Sequence, residues 1–217
     1  MTTARRSLLS GLERVLILAA HTDDEFGCAG LIQRLRDEGA GIRYIAMSPC
    51  KESVPVGFPD DVLVHECRAC LAELGVPDDQ VEIWDLPVRH FPRLRQDILE
   101  RLVRIGRSWS PDLVILPSSH DTHQDHETVS REGFRAFKRA SIWGYELPQN
   151  LVRFENSAFV ALTEAQLHGK IRALRCYRSQ EDRPYSNEDF IRGLARVRGI
   201  QAGVDHAEAF EVIRLIV

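Results

Sequence analysis

Apolar residues along this chain follow two alternating patterns. Short continuous apolar runs are separated by longer stretches in which apolar residues recur every three to four positions. Continuous runs are typical of strands buried on both faces, and the wider spacing is typical of amphipathic helices. The predicted strands are 15–20, 42–48, 81–84 and 112–116. The predicted helices between them are 26–38, 59–74 and 92–108. This alternation predicts an α/β fold with a Rossmann-like, doubly wound, mostly parallel sheet flanked by helices.

The last third of the chain has a less regular pattern. Its predicted strands are 142–146, 157–162 and 209–217, and its predicted helices are 163–177 and 187–199. Thr163 and Gln166 have the spacing of a capping box at the start of the first of these helices. Because 217 residues fill one core and are short for two, we expect a single domain over residues 1–217.

Composition narrows the class of protein. The chain is 44% hydrophobic and 28% charged, with a net charge of −4, which does not favour a surface for nucleic acid or anionic membranes. No apolar run approaches the ~18 residues of a membrane-spanning helix. Five cysteines cannot all pair within one chain, and their scattered spacing predicts a reduced, cytoplasmic protein. We expect buried core positions for Cys67 and Cys70, which share an apolar helix face.

An unusual concentration of charge directly follows the first predicted strand. In "AAHTDDEFG", residues 19–27, the polar residues are His21, Asp23, Asp24 and Glu25. Like charges this close repel, and burying them is costly unless something pairs with them. A bound cation would resolve this conflict.

A second polar cluster follows the strand at 112–116. The stretch "PSSHDTHQDHETV", residues 117–129, contains three histidines and two aspartates: His120, Asp121, His123, Asp125 and His126. In doubly wound sheets, ligands bind beyond the carboxyl ends of strands, where the strand order reverses. Either cluster alone could be a solvated turn, but two clusters at neighbouring strand ends predict one shared site.

Together the clusters contain the parts of a catalytic zinc site. Such a site commonly takes three histidine or carboxylate ligands and leaves one position for water, whose pKa the metal lowers. A further carboxylate can accept the proton, and a further histidine can stabilise an oxyanion or protonate a leaving amine. One His-x-Asp-Asp group and one His-x-Asp-His group supply all of these residue types.

Both clusters resemble signatures of a known family. "AHTDDE" resembles the Ala-His-Pro-Asp-Asp-Glu motif of the PIG-L/LmbE-like zinc deacetylases, and "HQDH" resembles their His-Pro-Asp-His motif. "YRSQ" at 177–180 and "AEAFEVIR" at 207–214 are similar to the family's C-terminal region. The resemblance implies a zinc-dependent hydrolase that removes an N-acyl group, expected to be N-acetyl, from a small-molecule amino-sugar conjugate such as one of N-acetylglucosamine. Related enzymes often assemble, so we also expect a homo-oligomer.

The resemblance assigns roles to individual residues. The implied zinc ligands are His21, Asp24 and His126. Asp23 is the implied general base toward the zinc-bound water, and His123 is implied to stabilise the oxyanion or to protonate the departing amine. Asp125 is implied to orient a neighbouring histidine. Glu25 is expected to support the ligands or the following helix.

The chain departs from the family pattern at two positions. Thr22 and Gln124 replace the usual prolines, which supply no ligand, so we expect the metal chemistry to be retained. The changes either loosen both turns or add hydrogen bonds. The resemblance gives no role to Asp121 or His120, and His120 is a second candidate for the acid and for the pocket rim.

Two further loops are expected to border the pocket. Residues 51–58 follow the second predicted strand, and residues 85–92 follow the third. Lys51, Arg89 and His90 in these loops, with His120, are the candidate contacts for a polar or phosphorylated substrate.

Two other functions remain open from the sequence. A two-histidine, one-carboxylate site is also the signature of non-haem Fe(II) oxygenases, which usually have an all-β fold. A non-catalytic metal- or sugar-binding module is the other alternative. The same ligands would also hold Fe²⁺, Co²⁺ or Mn²⁺ in place of Zn²⁺.

Overall fold

Seven strands pair into one sheet in the computed structural model, which describes residues 8–217. The strands are β1 (Arg14–Ala19), β2 (Gly41–Ala46), β3 (Val81–Ile83), β4 (Leu113–Pro117), β5 (Ser141–Tyr145), β6 (Ala158–Leu162) and β7 (His206–Arg214). Their order across the sheet is β3-β2-β1-β4-β5-β7-β6. The first five are parallel, whereas β7 runs antiparallel to both β5 and β6. The predicted fold class is confirmed.

Six helices cover the two faces of this sheet. They are α1 (Ala29–Asp37), α2 (Val62–Glu73), α3 (Arg95–Trp109), α4 (Gln124–Ala136), α5 (Glu164–Leu174) and α6 (Glu188–Ala202). Alternate residues of β1 face opposite layers, as the two-residue period of a strand requires. Val15 and Ile17 pack in the core beneath α1, α2, α5 and α6, and Leu16 and Leu18 pack beneath α3 and α4. Both faces of β1 are therefore dry, which explains its continuous apolar run.

Several helices begin later than the apolar pattern predicts. Residues Asp24–Gly27 form a separate 3-10 turn, so α1 begins at Ala29 and not at residue 26. The helix α2 begins at Val62 and not at residue 59, because the acidic residues before it lie outside the helix. The predicted capping box is present at α5: the Thr163 hydroxyl accepts the Gln166 N–H at 3.2 Å.

The last strand differs most from its prediction. It covers His206–Arg214, whereas the apolar pattern predicted 209–217. The difference arises because the buried positions of β7 include two carboxylates, Glu208 and Glu211, which an apolar pattern does not mark as buried. Glu208 accepts hydrogen bonds from the first turn of α1, and Glu211 accepts them from the loop after β4.

Other expectations concern the cysteines and the extent of the domain. Cys67 and Cys70 are buried core residues as predicted, Cys28 is also buried in the core, and Cys176 is partly buried. Among residues 8–217, no helix is both long enough and apolar enough to cross a membrane. Residues 1–7 of the predicted single domain lie outside the described part of the chain.

Candidate active site

The two polar clusters meet at the carboxyl ends of adjacent parallel strands. The strands β1 and β4 are paired in register, with Leu16 opposite Val114. We call residues 20–28, which follow β1, the β1 turn, and residues 118–126, which follow β4, the β4 loop. This is the point where the strand order reverses, as predicted, and the clusters converge there although ~100 residues separate them in the chain.

Three donor atoms of the site lie close enough to share one metal ion. His21 Nδ1 is 2.9 Å from His126 Nε2 and 3.8 Å from Asp24 Oδ1. His126 Nε2 is 3.3 Å from Asp24 Oδ1. Four ligands of a tetrahedral zinc at its usual bond lengths are about 3.3 Å apart. All three side chains are buried, so this donor triangle fits a single divalent ion.

A second combination of donors includes His123 in place of Asp24. Nitrogen atoms of His21, His123 and His126 all lie within 4.8 Å of one another. This set is wider than the donor triangle and has no carboxylate to offset the charge of a cation. In addition, His123 Nδ1 already accepts the N–H of Asp125 at 3.2 Å, which makes His123 the N-cap of α4. The donor triangle therefore fits a cation better than this second set of donors does.

Each histidine of the triangle has a carboxylate on its other ring nitrogen. His21 Nε2 lies 3.1 Å from Asp125 Oδ2, and His126 Nδ1 lies 2.7 Å from Asp121 Oδ2. Such carboxylate–histidine pairs fix the ring orientation and the tautomer and make the imidazole a better metal ligand. Asp121 also accepts the backbone N–H of His123 at 2.8 Å. Asp121 is thus an integral part of the site, although sequence reasoning gave it no role.

The adjacent carboxylates Asp23 and Asp24 have opposite pKa shifts. Burial, reinforced by the nearby Asp24 charge, raises the pKa of Asp23. Burial also acts to raise the pKa of Asp24, but the charge and hydrogen bond of His126 outweigh it and hold this pKa well below its usual range. Tyr185, whose hydroxyl donates to Asp23 Oδ2 at 3.2 Å, partly offsets the shift of Asp23. Asp24 is therefore held as an anion, whereas Asp23 is the better proton acceptor.

The histidines of the site respond to the same charges. Burial acts to lower the pKa of His126, but the charge of Asp24 and the hydrogen bond that His126 donates to Asp121 outweigh it and raise this pKa to about 10. The surroundings of the donor triangle thus favour positive charge, which a metal cation would supply. Burial lowers the pKa of His123, and the neighbouring imidazoles of His126 and His21 lower it further. His123 is therefore favoured as a neutral ring.

Two tyrosine hydroxyls, of Tyr44 and Tyr177, support the β1 turn by hydrogen bonds. The hydroxyl of Tyr177 donates to the carbonyl of Thr22 and to Glu25, and the hydroxyl of Tyr44 donates to Glu25 at 2.9 Å. Burial raises the pKa of Glu25 to about 7. Glu25 therefore supports the turn, as expected. The hydroxyl of Thr22 finds no hydrogen-bond partner among the described residues, so it does not add the bond considered in place of the proline.

A buried ion pair holds the start of α1. The carboxylate of Glu208 on β7 accepts the N–H groups of Gly30 and Leu31, each at 2.7 Å. Lys170 on α5 donates to Glu208 at 2.8 Å and to the carbonyl of Phe26 at 2.6 Å. An anion is favoured at a helix N-terminus, and here it also fixes the turn that precedes the helix.

The β4 loop has one comparable support from β7. Glu211 accepts the hydroxyl of Ser118 at 2.7 Å and the N–H of Ser119 at 2.8 Å. Its other hydrogen bonds join Asp121, His123, Asp125 and His126 to one another or to the facing His21. Further bonds connect the loop to neighbouring loops, through Arg89, Phe91, Asn150 and Arg153.

The four predicted substrate contacts lie outside the donor triangle. Lys51 is exposed and pairs with Asp85 at 2.8 Å. Arg89 and His90 are exposed in the loop after β3. His120 contacts Glu155 at 3.3 Å and accepts from Arg153 at 3.3 Å, so its ring is engaged with the segment before β6.

Sequence reasoning gave no role to several supporting residues, among them Asp121, Tyr145 and Tyr185. Asp121 lies inside the second polar cluster, so its position was a usable signal. Tyr145 on β5 donates to Asp24 Oδ2 at 3.3 Å and to the carbonyl of Leu18 at 3.4 Å. Neither tyrosine lies in a polar cluster, and no local pattern in the sequence indicates these contacts.

Comparison with known proteins gives consistent results. A family model described as "PIG-L: GlcNAc-PI de-N-acetylase" matches residues 16–137, which is more than half of the chain and includes both polar clusters. Among solved structures, the chain resembles N,N'-diacetylchitobiose deacetylase from Pyrococcus horikoshii, with a TM-score of 0.81, 20% identity, and coverage of 96% of this chain and 86% of that one. It also resembles GalB, the 4-carboxy-2-hydroxymuconate hydratase from Pseudomonas putida KT2440, with a TM-score of 0.76, 19% identity, and coverage of 95% and 98%. The zinc-inhibited form of the teicoplanin deacetylase Orf2 matches with a TM-score of 0.75, 15% identity, and coverage of 93% and 98%.

These structural likenesses establish the fold, and one of them is a hydratase, so the fold alone does not decide the reaction. The family match is more specific, because it covers both stretches that converge on the donor triangle. The chain belongs to the PIG-L family, the family of GlcNAc-PI de-N-acetylase.

Proposed function

We propose that this protein is a zinc-dependent amidohydrolase that removes the N-acetyl group from an amino-sugar conjugate, releasing acetate and a free amine. The observation that carries the proposal is the donor triangle of His21, Asp24 and His126, with two further catalytic groups, Asp23 and His123, adjacent to it. Membership of the PIG-L family supports the reaction, and the deacetylases among the structural neighbours support the substrate class.

The ligand assignment rests on donor chemistry and spacing. His21, Asp24 and His126 would hold the ion, and Asp125 and Asp121 would orient the two imidazoles. When bound, a divalent ion would polarise the amide carbonyl and lower the pKa of the attacking water. Zinc suits two imidazoles and one carboxylate, although other divalent metals accept the same ligands.

Asp23 is the proposed general base. Its raised pKa makes it a better proton acceptor than its neighbour Asp24, whose charge is committed to His126. The hydroxyl of Tyr185 engages Oδ2 of Asp23 and thereby holds the carboxylate in one orientation. In this assignment Asp23 takes the proton from the attacking water.

His123 is the proposed hydrogen-bond donor to the developing oxyanion. Its Nδ1 accepts the N–H of Asp125, so the proton of a neutral ring lies on Nε2. Its lowered pKa favours this neutral form. Of the two roles implied by the family resemblance, the donor role toward the oxyanion is therefore the better supported one.

The alternatives differ in how well they fit. An oxygenase of the non-haem iron type was expected to have an all-β fold, and the α/β sheet gives it no support. A non-catalytic module would have no use for a base and an oxyanion donor beside the ligands. One structural neighbour is a hydratase, and the assay below distinguishes hydration from deacetylation because only deacetylation releases an amine.

The test is a panel of N-acetylated amino sugars and their conjugates, assayed for released primary amine with and without a chelator. We expect amine release that chelation abolishes and that added zinc restores. We expect Asp23→Asn to lower kcat by roughly 10²–10⁴-fold, the usual contribution of general base catalysis, with unchanged zinc content. If Asp23→Asn retains full activity, or if no conjugate releases amine, the proposal is wrong.

Two further expectations stay predictions alongside this function. Five free thiols, four of them buried, agree with the expected reducing, cytoplasmic environment. The expected homo-oligomer would be tested by light scattering of the purified protein.

A further inference from the structure

An arginine at the edge of the site adopts a backbone conformation that favours glycine. Among residues 8–217, three non-glycine residues have positive φ: Cys50 at 54°, Arg89 at 70° and Ser110 at 49°. A β-carbon makes this left-handed region unfavourable, and such residues often occur at functional sites. Ser110 ends α3, where left-handed residues are common. Arg89 ends no helix, so its side chain is retained at a position where glycine would be less strained.

The loop that carries Arg89 is anchored directly to the candidate active site. The N–H of Arg89 donates to Asp125 Oδ2, the oxygen that also contacts His21 Nε2 at 3.1 Å. The N–H of Phe91 donates to the other oxygen of Asp125 at 3.1 Å. The backbone of Arg89 is therefore linked through the carboxylate of Asp125 to His21, a proposed metal ligand. This link fixes the backbone of Arg89 relative to the donor triangle.

The charge of Arg89 is not neutralised within the described residues. Its side chain is exposed and has no carboxylate partner there, and the same is true of Arg93. By contrast, Lys51 on the neighbouring loop pairs with Asp85 at 2.8 Å. A guanidinium with no internal partner, on a loop whose backbone bonds to Asp125, is available for an external anion, and its planar fork suits phosphate or carboxylate.

We propose that Arg89 determines substrate specificity by binding an anionic group, a phosphate or a carboxylate, on the N-acetylated amino sugar. This inference rests on the proposed deacetylase function, because it places the anion on the same substrate. The bond to Asp125 fixes the backbone of Arg89 beside the site, and the uncompensated charge supplies the recognition. The substrate class is thus an acidic amino-sugar conjugate.

The test compares Arg89→Gly with Ser110→Gly as a matched control. Both substitutions place glycine at a left-handed position, and Ser110 lies at the opposite end of α3 from the loop that carries Arg89. The probes are N-acetylglucosamine, N-acetylglucosamine 1-phosphate, N-acetylglucosamine 6-phosphate and N-acetylmuramic acid. The measurements are kcat/KM for amine release, Kd by titration calorimetry, and the melting temperature.

We expect the parent protein to prefer at least one anionic probe over the neutral sugar. Arg89→Gly should lower affinity for that probe by about tenfold to a hundredfold, the usual range for a hydrogen bond between charged groups. Affinity for the neutral sugar should not change. Ser110→Gly should leave all affinities unchanged, and both variants should melt no lower than the parent. The phosphate and carboxylate arms distinguish the two anions.

Three results would overturn the inference. The first is that the parent binds anionic and neutral probes with equal affinity, or binds no probe detectably. The second is that Arg89→Gly loses the same affinity for neutral and anionic sugars. The third is that Arg89→Gly loses no affinity at all. Failure of the deacetylase proposal gives a different result, in which an anionic probe binds through Arg89 but releases no amine. Amine release that does not depend on Arg89 would leave the function standing and this inference wrong.

Discussion

The two halves of the candidate site are stabilised in different ways. The β4 loop is held by its own residues, since Asp121 bonds to His123 and His126, and by loops within 36 positions of it in the chain, through Arg89, Phe91 and Asn150. Glu211 is its main support from farther along the chain. The β1 turn is held mostly from outside, by Tyr145, Tyr177, Tyr185 and the pair Lys170–Glu208. The β4 loop therefore depends mainly on residues near it in the chain, whereas the equally polar β1 turn depends mainly on residues more than 100 positions away.

The largest expected effect comes from removing the remote support of the β1 turn. Glu208→Gln breaks a buried ion pair whose side chains are each 6% exposed. It also replaces the carboxylate that accepts the N–H groups of Gly30 and Leu31. Leaving one charge of a buried pair without its partner costs about 3–5 kcal/mol. We expect the free energy of unfolding in urea to fall by that amount.

The control for this change is Glu73→Gln. Glu73 pairs with Arg172 at 2.9 Å, but both side chains are largely exposed. Exposed pairs contribute about 0–1 kcal/mol, so this variant should unfold nearly like the parent. Equal losses in the two variants would contradict the view that the β1 turn is supported by the buried pair.

The next effect sharpens the comparison from the side of the β4 loop. Asp121→Asn keeps the shape of the side chain but removes the charge that orients His126 and holds the N–H of His123. Loss of such an outer carboxylate typically weakens metal binding by about 10–100-fold. The measurement is a zinc titration against a competing chromophoric chelator.

Asp97→Asn in the exposed first turn of α3 is the matched control, and its zinc affinity should equal that of the parent. If Asp121→Asn binds zinc as tightly as Asp97→Asn, the β4 loop does not orient its ligand through Asp121.

The smallest expected effect tests the contact between the C-terminal part and the proposed base. Tyr185→Phe removes the hydroxyl that donates to Asp23 and keeps the ring, which packs edge-on against Phe26. We expect kcat to fall by about tenfold, since one hydrogen bond to a charged group is lost, with unchanged KM and zinc content.

Tyr44→Phe removes a buried hydroxyl that bonds to Glu25 and not to Asp23. It should lower the free energy of unfolding by about 1–2 kcal/mol while kcat stays near the parent value. A fall in zinc content in Tyr185→Phe would show that Tyr185 supports the ligands and not the base.

This difference between the two halves also explains what the sequence could predict. The strands β1 and β4 were recognisable because both faces are buried, and their polar ends followed from a general rule of doubly wound sheets. The donor residues were recognisable because, within each of the two clusters, they are close together in the chain. The helix boundaries were less accurate, since Asp24–Gly27 form a 3-10 turn that no apolar period indicates.

The remaining parts of the site could not be read from local pattern. Tyr185 reaches Asp23 across 162 positions of the chain, and Glu208 reaches Gly30 across 178. A tyrosine in a loop and a glutamate in a strand have many possible partners, and only the packing of the C-terminal helices against α1 selects one. Arg89 was recognisable as a loop charge, but its left-handed backbone and its bond to Asp125 required coordinates.

The position of β7 between β5 and β6 has a consequence for the order of events during biosynthesis. Ribosomes add about 5–20 residues per second, so Glu208 emerges roughly 10–35 s after the Gly30 that it anchors. In the later part of that interval the nascent chain already carries His21, Asp24 and His126 but lacks the strand that fixes the start of α1. The start of α1 therefore gains this support only after every proposed ligand, all of them within the first 126 residues, has been synthesised.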